Sequence, residues 1–212
     1  MPRTSFTAAA AEVAGRDPVM AKLMSRTGPF RLPRPTTDHF AALAESILYQ
    51  QLAGAAAAAI HRRFVALFDG DLSAEAVLAV PEPKLRGAGL SGSKAASIRD
   101  LAAKVADGSV PLDRISRLRD EEIITRLSVV RGIGRWTAEM FLIFQLRRLD
   151  VWPVDDYGVR QGWSLIYGLP ELLKPKQLQT EGDPFRPFRT VPAWYCWQAV
   201  HAARAKPSGR AT

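Results

Sequence analysis

Residues 127–157 read LSVVRGIGRWTAEMFLIFQLRRLDVWPVDDY, and this stretch decides the fold. An apolar helix end (Leu127, Val130) is followed by Gly132 and Gly134, then by a second apolar run carrying Trp136, Met140, Phe141 and Phe144. Glycine at both positions lets the chain reverse tightly and leaves main-chain N–H groups uncovered by side chains. Those groups lie at the start of the second helix, where the helix dipole is positive, which makes a seat for a phosphate. Downstream, Asp155 and Asp156 precede a further helical run. Taken separately, a G-x-G also reads as a plain helix–helix turn, and an acidic pair as a helix N-cap. Taken together, a phosphate clamp followed at short range by a carboxylate is also a plan that suits an enzyme attacking a nucleotide, and the residues alone leave both readings open.

Working outward, the chain reads as helical nearly throughout. Phe40, Leu43, Ala44, Ile47, Leu48 and Gln51 trace one helical face, with Thr36, Thr37 and Asp38 as capping candidates. Ile60, Phe64 and Leu67 continue the pattern after Gly54, and Ala95, Ile98, Leu101 and Val105 repeat it behind Ser91 and Ser93. Asp120 is the expected cap of a helix carrying Ile123, Ile124 and Leu127, and residues 170–192 read as a long connection. No alternating run is long enough to require a sheet, so the expected class is all-α.

The 212 residues allow one or two small domains with a real core. Lys and Arg number 29 against 21 acidic residues, a net charge of +8 that favours nucleic acid or another anionic surface as partner. No apolar run approaches membrane-spanning length and no signal pattern opens the chain, so the expected site of action is the cytoplasm. The single cysteine, Cys196, excludes an intramolecular disulfide and a four-cysteine iron–sulfur cluster.

The segment as a whole resembles the helix–hairpin–helix plus catalytic-aspartate signature of the DNA glycosylase superfamily. RGIGRWTA followed by PVDDY is most similar to its 3-methyladenine DNA glycosylase II branch. Three further blocks occur in the family's order: HFAALAESILYQQLAGAAAAAIHRRF with its Y-Q-Q stretch, LRGAGLSGSKAASIRDLAAKVADG, and PFRPFRTVPAWYCWQA. The last resembles a W-x-P-x-R-S-x-x-x-x-Y-x-W block, with Phe185 and Thr190 as departures. The resemblance implies two helical subdomains with a DNA-binding cleft between them and the helix–hairpin–helix at about residues 124–146. One subdomain is expected at 40–127 and the other from 1–39 plus 128–212. Larger members carry an extra N-terminal α/β domain, which is not expected here.

Carried over residue by residue, the resemblance makes Asp156 the catalytic carboxylate, with Asp155 the weaker candidate. A base inside duplex DNA must be rotated out before it can be attacked. Gln51 stands at the family's wedge position, with Gln50 beside it and Leu52 as an apolar competitor. Gly132 and Gly134 would bind the DNA backbone, supported by Arg135 and Thr137, and the carbonyls of Ser128, Val130 and Ile133 match positions that hold a monovalent cation. Trp197 matches a pocket tryptophan, with Trp136, Met140, Tyr195 and Tyr157 as further pocket residues. Where members carry pocket tyrosines, this chain has Met140 and Gln198. Bifunctional relatives place a lysine where Trp136 stands, so the expectation is a monofunctional hydrolase that removes alkylated purines of the 3-methyladenine and 7-methylguanine type. It would act as a monomer on double-stranded DNA containing damaged bases, requiring no cofactor beyond an optional structural cation. A non-catalytic helix–hairpin–helix module that binds bent or damaged DNA is the alternative from another class. An oxidised-base lyase is disfavoured by Trp136 and by the missing cluster cysteines.

Overall fold

A computed structural model describes residues 4–36, 38–52 and 54–205, among which there is no β-strand. In chain order the helices are α1 (Phe6–Arg16), α2 (Pro18–Thr27), α3 (His39–Tyr49), α4 (Gly54–Val65), α5 (Ala74–Ala79), α6 (Glu82–Gly87), α7 (Gly92–Ala106), α8 (Asp120–Leu127), α9 (Arg135–Met140), α10 (Tyr157–Tyr167), α11 (Pro175–Gly182) and α12 (Thr190–Ala205). No helix among the described residues is long and apolar enough to cross a membrane. The chain forms two units, leaving the first after Pro33 and returning to it at Arg147.

The continuous unit, 34–146, is built on the apolar periodicity of the sequence. Phe40, Leu43, Ala44, Ile47 and Leu48 of α3 are buried, as are Ala95, Ile98, Leu101 and Ala102 of α7 and Ile123, Ile124 and Leu127 of α8. Each fully buried aliphatic side chain stabilises the unit by roughly 1.5–3 kcal/mol relative to exposure. The α3 cap is Asp38, whose carboxylate accepts from the Phe40 and Ala41 N–H groups. Thr36 instead bonds the Asp38 carbonyl and the Gln145 side chain, and Thr37 lies outside the described residues. Ser91 caps α7, as its type and position suggest. On α8 the expectation is off by one: Arg119 is the cap position, and Asp120, Glu121 and Glu122 fill the first turn, where the helix dipole favours negative charge.

The boundary between units also differs from the expected 39/40 and 127/128, for a packing reason. After α9 the chain winds into a π-helical turn over Phe141–Gln145, whose Phe141, Leu142 and Ile143 are buried. Phe141 meets the His39 ring edge-on at 5.6 Å. The buried Gln145 amide accepts from Thr36 N–H at 3.2 Å and donates to the Thr36 carbonyl at 2.9 Å. The hairpin and its second helix therefore belong with α3 and α8, and the unit begins before α3.

In the other unit α10 and α12 form a closely packed pair. Phe30 packs between Phe6 and Trp194, and Met20, Ala9 and Val13 complete a core under α1 and α2. The expected long connection at 170–192 contains α11, whose Leu178 is buried. The sequence pattern there is too short and polar to reveal it.

Candidate functional site

Asp156 is the N-cap of α10. Its Oδ1 accepts the Val159 N–H at 2.8 Å, satisfying one of the orphan donors of the first turn, and the Trp197 indole N–H at 2.9 Å. Only 9% of the residue is exposed. The approach of Trp197 depends on glycine: a Cβ at Gly158 would lie 2.9 Å from Trp197 Cδ1 and 3.1 Å from Asp156 Oδ1. One turn on, a Cβ at Gly162 would lie 2.2 Å from the Cys196 carbonyl oxygen. The spacing of four puts both glycines on the face of α10 that meets α12.

The segment leading to Asp156 is fixed at several points. Thr190 Oγ1 accepts from Val151 N–H at 3.0 Å and donates to the Arg148 carbonyl at 2.9 Å. The hydroxyl makes these bonds, so threonine serves where the family block has serine. Arg189 grips Asp150 through its carboxylate, at 2.7 and 3.1 Å, and through its carbonyl, at 2.9 Å. The buried Trp152 donates its indole N–H to the Leu178 carbonyl at 2.8 Å. Phe185, the other departure, is buried edge-on to Trp163 at 6.0 Å.

In the second unit the hairpin runs from Ser128 to Gly134, between α8 and α9. Gly132 has φ +79°, a left-handed conformation that favours glycine, and a Cβ there would lie 2.9 Å from Ser97 Oγ. Gly134 caps α9 at φ −99°, and an added Cβ would meet nothing within 4 Å. Asp100 accepts the Arg131 N–H at 2.7 Å and pairs with Lys104. Burial alone would push the Asp100 carboxyl up, but these partners together hold it below its ordinary value.

The Y-Q-Q stretch is tied to this hairpin. Gln50 donates to the Gly132 carbonyl at 2.9 Å and reaches Thr137 Oγ1 at 3.5 Å. Lys94 donates to the carbonyls of Leu48 and Gln50, neutralising the negative end of α3. Burial lowers the pKa of its ammonium from the usual lysine value. Gln51 then takes φ +57°, which turns the chain out of α3 and leaves Gln51 and Leu52 exposed.

Several expected roles change on this geometry. Gln50 is a structural tie and not a free wedge, which leaves Gln51 and Leu52 as candidates. Thr137 is buried, so its hydroxyl is not presented for a backbone contact. Arg135 is half-exposed but makes a bidentate ion pair with Glu121, at 2.6 and 3.1 Å, that links α9 to α8. Glu121 hydrogen bonding raises its already high pKa. Tyr195 is core: it is 1% exposed, and its hydroxyl donates to the Gly28 carbonyl at 2.8 Å. Trp136 and Tyr157 are exposed, Met140 and Trp197 are half-buried, and Asp155 is exposed. The sequence motifs do not point to Asp100, Gly158 or Gly162. The i,i+4 glycine pair in YGVRQGW was the visible signal for close helix packing.

Replacing Gln50 by alanine is expected to destabilise the chain by about 1 kcal/mol, the net value of a hydrogen bond, and to speed exchange of the hairpin amides. Thermal unfolding and hydrogen exchange at residues 131–134 check this. Unchanged exchange there would remove the tie.

A family model described as HhH-GPD superfamily base excision DNA repair protein matches residues 44–187. The chain belongs to that superfamily. Its all-α architecture agrees with solved members. A structure of a Schizosaccharomyces pombe 3-methyladenine DNA glycosylase in complex with abasic DNA superposes with a TM-score of 0.82 at 31% identity, over 94% of this chain and 99% of that one. A DNA-3-methyladenine glycosidase from Bacillus halodurans gives 0.84 at 32% identity, over 93% and 91%. Among curated proteins, the S. pombe DNA-3-methyladenine glycosylase 1 is 33% identical over 94% of this chain and 90% of its own length. The superfamily match takes in Gln50–Leu52, the hairpin and Asp156, and it ends before Trp197.

The carbonyls of Ser128, Val130 and Ile133 are neutral oxygen donors, a set suited to a hard monovalent cation. Val130 O accepts the Ile133 N–H at 3.0 Å, which uses one of its two lone pairs and leaves the other.

Proposed function

We propose that this chain is a monofunctional DNA glycosylase that flips alkylated purines, of the 3-methyladenine and 7-methylguanine type, out of duplex DNA and hydrolyses their N-glycosidic bond. The observation that carries this reading is Asp156, a nearly buried carboxylate held at a helix N-terminus with Oδ1 fixed by two N–H donors. When the bond from C1′ to the base nitrogen breaks, its electron pair leaves with the base, which neutralises an alkylated purine. The sugar is left with positive charge, and a preorganised carboxylate stabilises that charge as it develops. Water then adds at C1′ and loses a proton, giving an abasic site. Asp156 also has the chemistry to accept that proton.

The remaining elements fit the parts such an enzyme needs. Main-chain N–H groups around Gly132 and Gly134 would receive a DNA phosphate, positioning the duplex without reading its sequence. A monovalent cation on the hairpin carbonyls would add positive charge beside that phosphate. Gln51 and Leu52, exposed on a left-handed turn, would fill the gap left by the flipped base. Trp136 and Met140 on α9 would supply polarisable side chains for the base, and cation–π attraction of a charged base to an indole is worth roughly 0.5–2 kcal/mol. The working unit would be a monomer on double-stranded DNA in the cytoplasm.

Gly134→Ala is expected to leave thermal stability unchanged, because the added methyl meets open space at an ordinary φ. It should weaken binding to many duplexes alike, by obstructing a main-chain contact to phosphate. Affinity measured on unrelated sequences checks this. A change confined to base preference would contradict the phosphate clamp.

Borohydride trapping tests the reaction type. An amine nucleophile must form a Schiff base, which borohydride reduces to a covalent protein–DNA adduct. Trp136 supplies no amine, and the Lys94 ammonium is engaged with two carbonyls. No adduct is expected during turnover, and an adduct that tracks base release would overturn the monofunctional reading.

A further inference from the structure

We infer that Trp197 is a positioning residue for the catalytic carboxylate, acting through its indole N–H and not as a stacking wall. The inference rests on the reading of Asp156 proposed above and adds a second element, α12, to the device that aims it. An N-cap bond by itself fixes a carboxylate only through its own helix, and rotation about the side chain still swings the oxygens. A second donor from a different helix restricts that freedom, because Oδ1 is then held by N–H groups of both α10 and α12. The chemistry of tryptophan suits this role, since an indole carries a single donor and no acceptor, and a broad ring that packing can hold in one place.

The rest of the neighbourhood is built to keep that ring where it is. Gly158 leaves room on the α10 side, where any side chain would meet both Trp197 Cδ1 and Asp156 Oδ1. Gly162 lets the Cys196 backbone come against α10, which sets the height of the next residue, Trp197, relative to the cap. The hydroxyl of Thr190 and the guanidinium of Arg189 fasten the start of α12 to residues 148–151, on the segment that delivers Asp156. The distance between the indole and the carboxylate is thus set by main-chain packing, and deleting the N–H removes a donor that this packing has placed.

The test separates positioning from stacking. Trp197→Phe keeps an aromatic face and deletes the donor, so a stacking wall would survive it and a positioning donor would not. The expected result, from single-turnover release of 7-methylguanine, is a fall of about 10- to 100-fold in the rate at saturating enzyme, the scale for a misplaced catalytic group. The half-saturating concentration and the affinity for an abasic-site duplex stay as in the wild type. Gly158→Ala should move the rate in the same direction with the donor still present. In an Asp156→Asn background Trp197→Phe should add no further loss. In folded ¹⁵N-labelled protein, the Trp197 indole N–H resonance should shift between the wild type and Asp156→Ala, which removes its acceptor.

A wild-type rate for Trp197→Phe, a loss carried wholly by weaker binding, or an indole resonance indifferent to Asp156→Ala would each overturn the inference. Should Asp156→Asn itself release base at the wild-type rate, the catalytic reading fails. An inactive Asp156→Asn beside a fully active Trp197→Phe removes only the positioning role.

Discussion

Replacing Asp156 by asparagine is expected to slow base release by about 10²–10³-fold, the range for removing one preorganised group that stabilises transition-state charge. Binding to an abasic-site duplex should be unchanged. The substitution is informative because asparagine is as good an N-cap as aspartate. Its amide oxygen can accept the same Val159 and Trp197 N–H groups that Asp156 Oδ1 accepts. The fold keeps its cap and loses only the negative charge. A fall in release without a fall in thermal stability therefore reports charge stabilisation at the sugar. Wild-type-like release by the variant would send the catalytic role elsewhere, and the exposed Asp155 would be examined first.

The largest expected effect on stability comes from Gly162→Ala. The new methyl would lie 2.2 Å from the Cys196 carbonyl oxygen and 2.5 Å from its carbonyl carbon and Cα, all main-chain atoms of α12. No side chain can swing aside to relieve this, so α10 and α12 must separate. Overpacking of this kind costs roughly 3 kcal/mol, which for a chain of this size lowers Tm by roughly 6–12 °C. Gly15→Ala is the control. It lies in α1 with nothing within 4 Å of its Cβ, so the helix gains about 0.5–1 kcal/mol. Equal Tm values for wild type and Gly162→Ala would contradict the close approach of the two helices. Because α12 carries Trp197 and α10 carries Asp156, the same variant should also lose activity at temperatures where it remains folded.

What could be read from the sequence was whatever local chemistry determines. Apolar spacing gave α3, α4, α7 and α8, since a helix repeats its buried face every three to four residues. Asp38 and Asp156 were legible as caps because a short acceptor before an apolar run can satisfy the first-turn N–H groups. The hairpin was legible from its glycine pair, although the turn itself requires glycine only at Gly132, where φ is +79°, and not at Gly134, where φ is −99°. The misses share a different cause: they depend on residues far apart in the chain. Gln50 looks like a wedge until the Gly132 carbonyl, 82 positions away, is found beside it. Tyr195 looks like a pocket residue until its hydroxyl is seen on Gly28, 167 positions away. The Arg135–Glu121 pair across the hairpin joins residues 14 positions apart, which the spacing of the motif does not reveal. The boundary after Leu146 was hidden for the same reason, because it is set by Gln145 meeting Thr36. α11 was hidden by its composition, with one buried leucine in a polar octet.

The central claim is that this chain hydrolyses the bond between an alkylated purine and its sugar and leaves the strand whole. It is tested most directly by incubating the wild-type protein with methylated duplex DNA, then measuring released bases by chromatography and strand breaks by denaturing gel on the same samples. The prediction is release of methylated purines, with strands that stay intact until alkali is added and then break at the abasic sites. Tight binding to the methylated duplex with no base released, or strands broken in step with release before alkali, would contradict it.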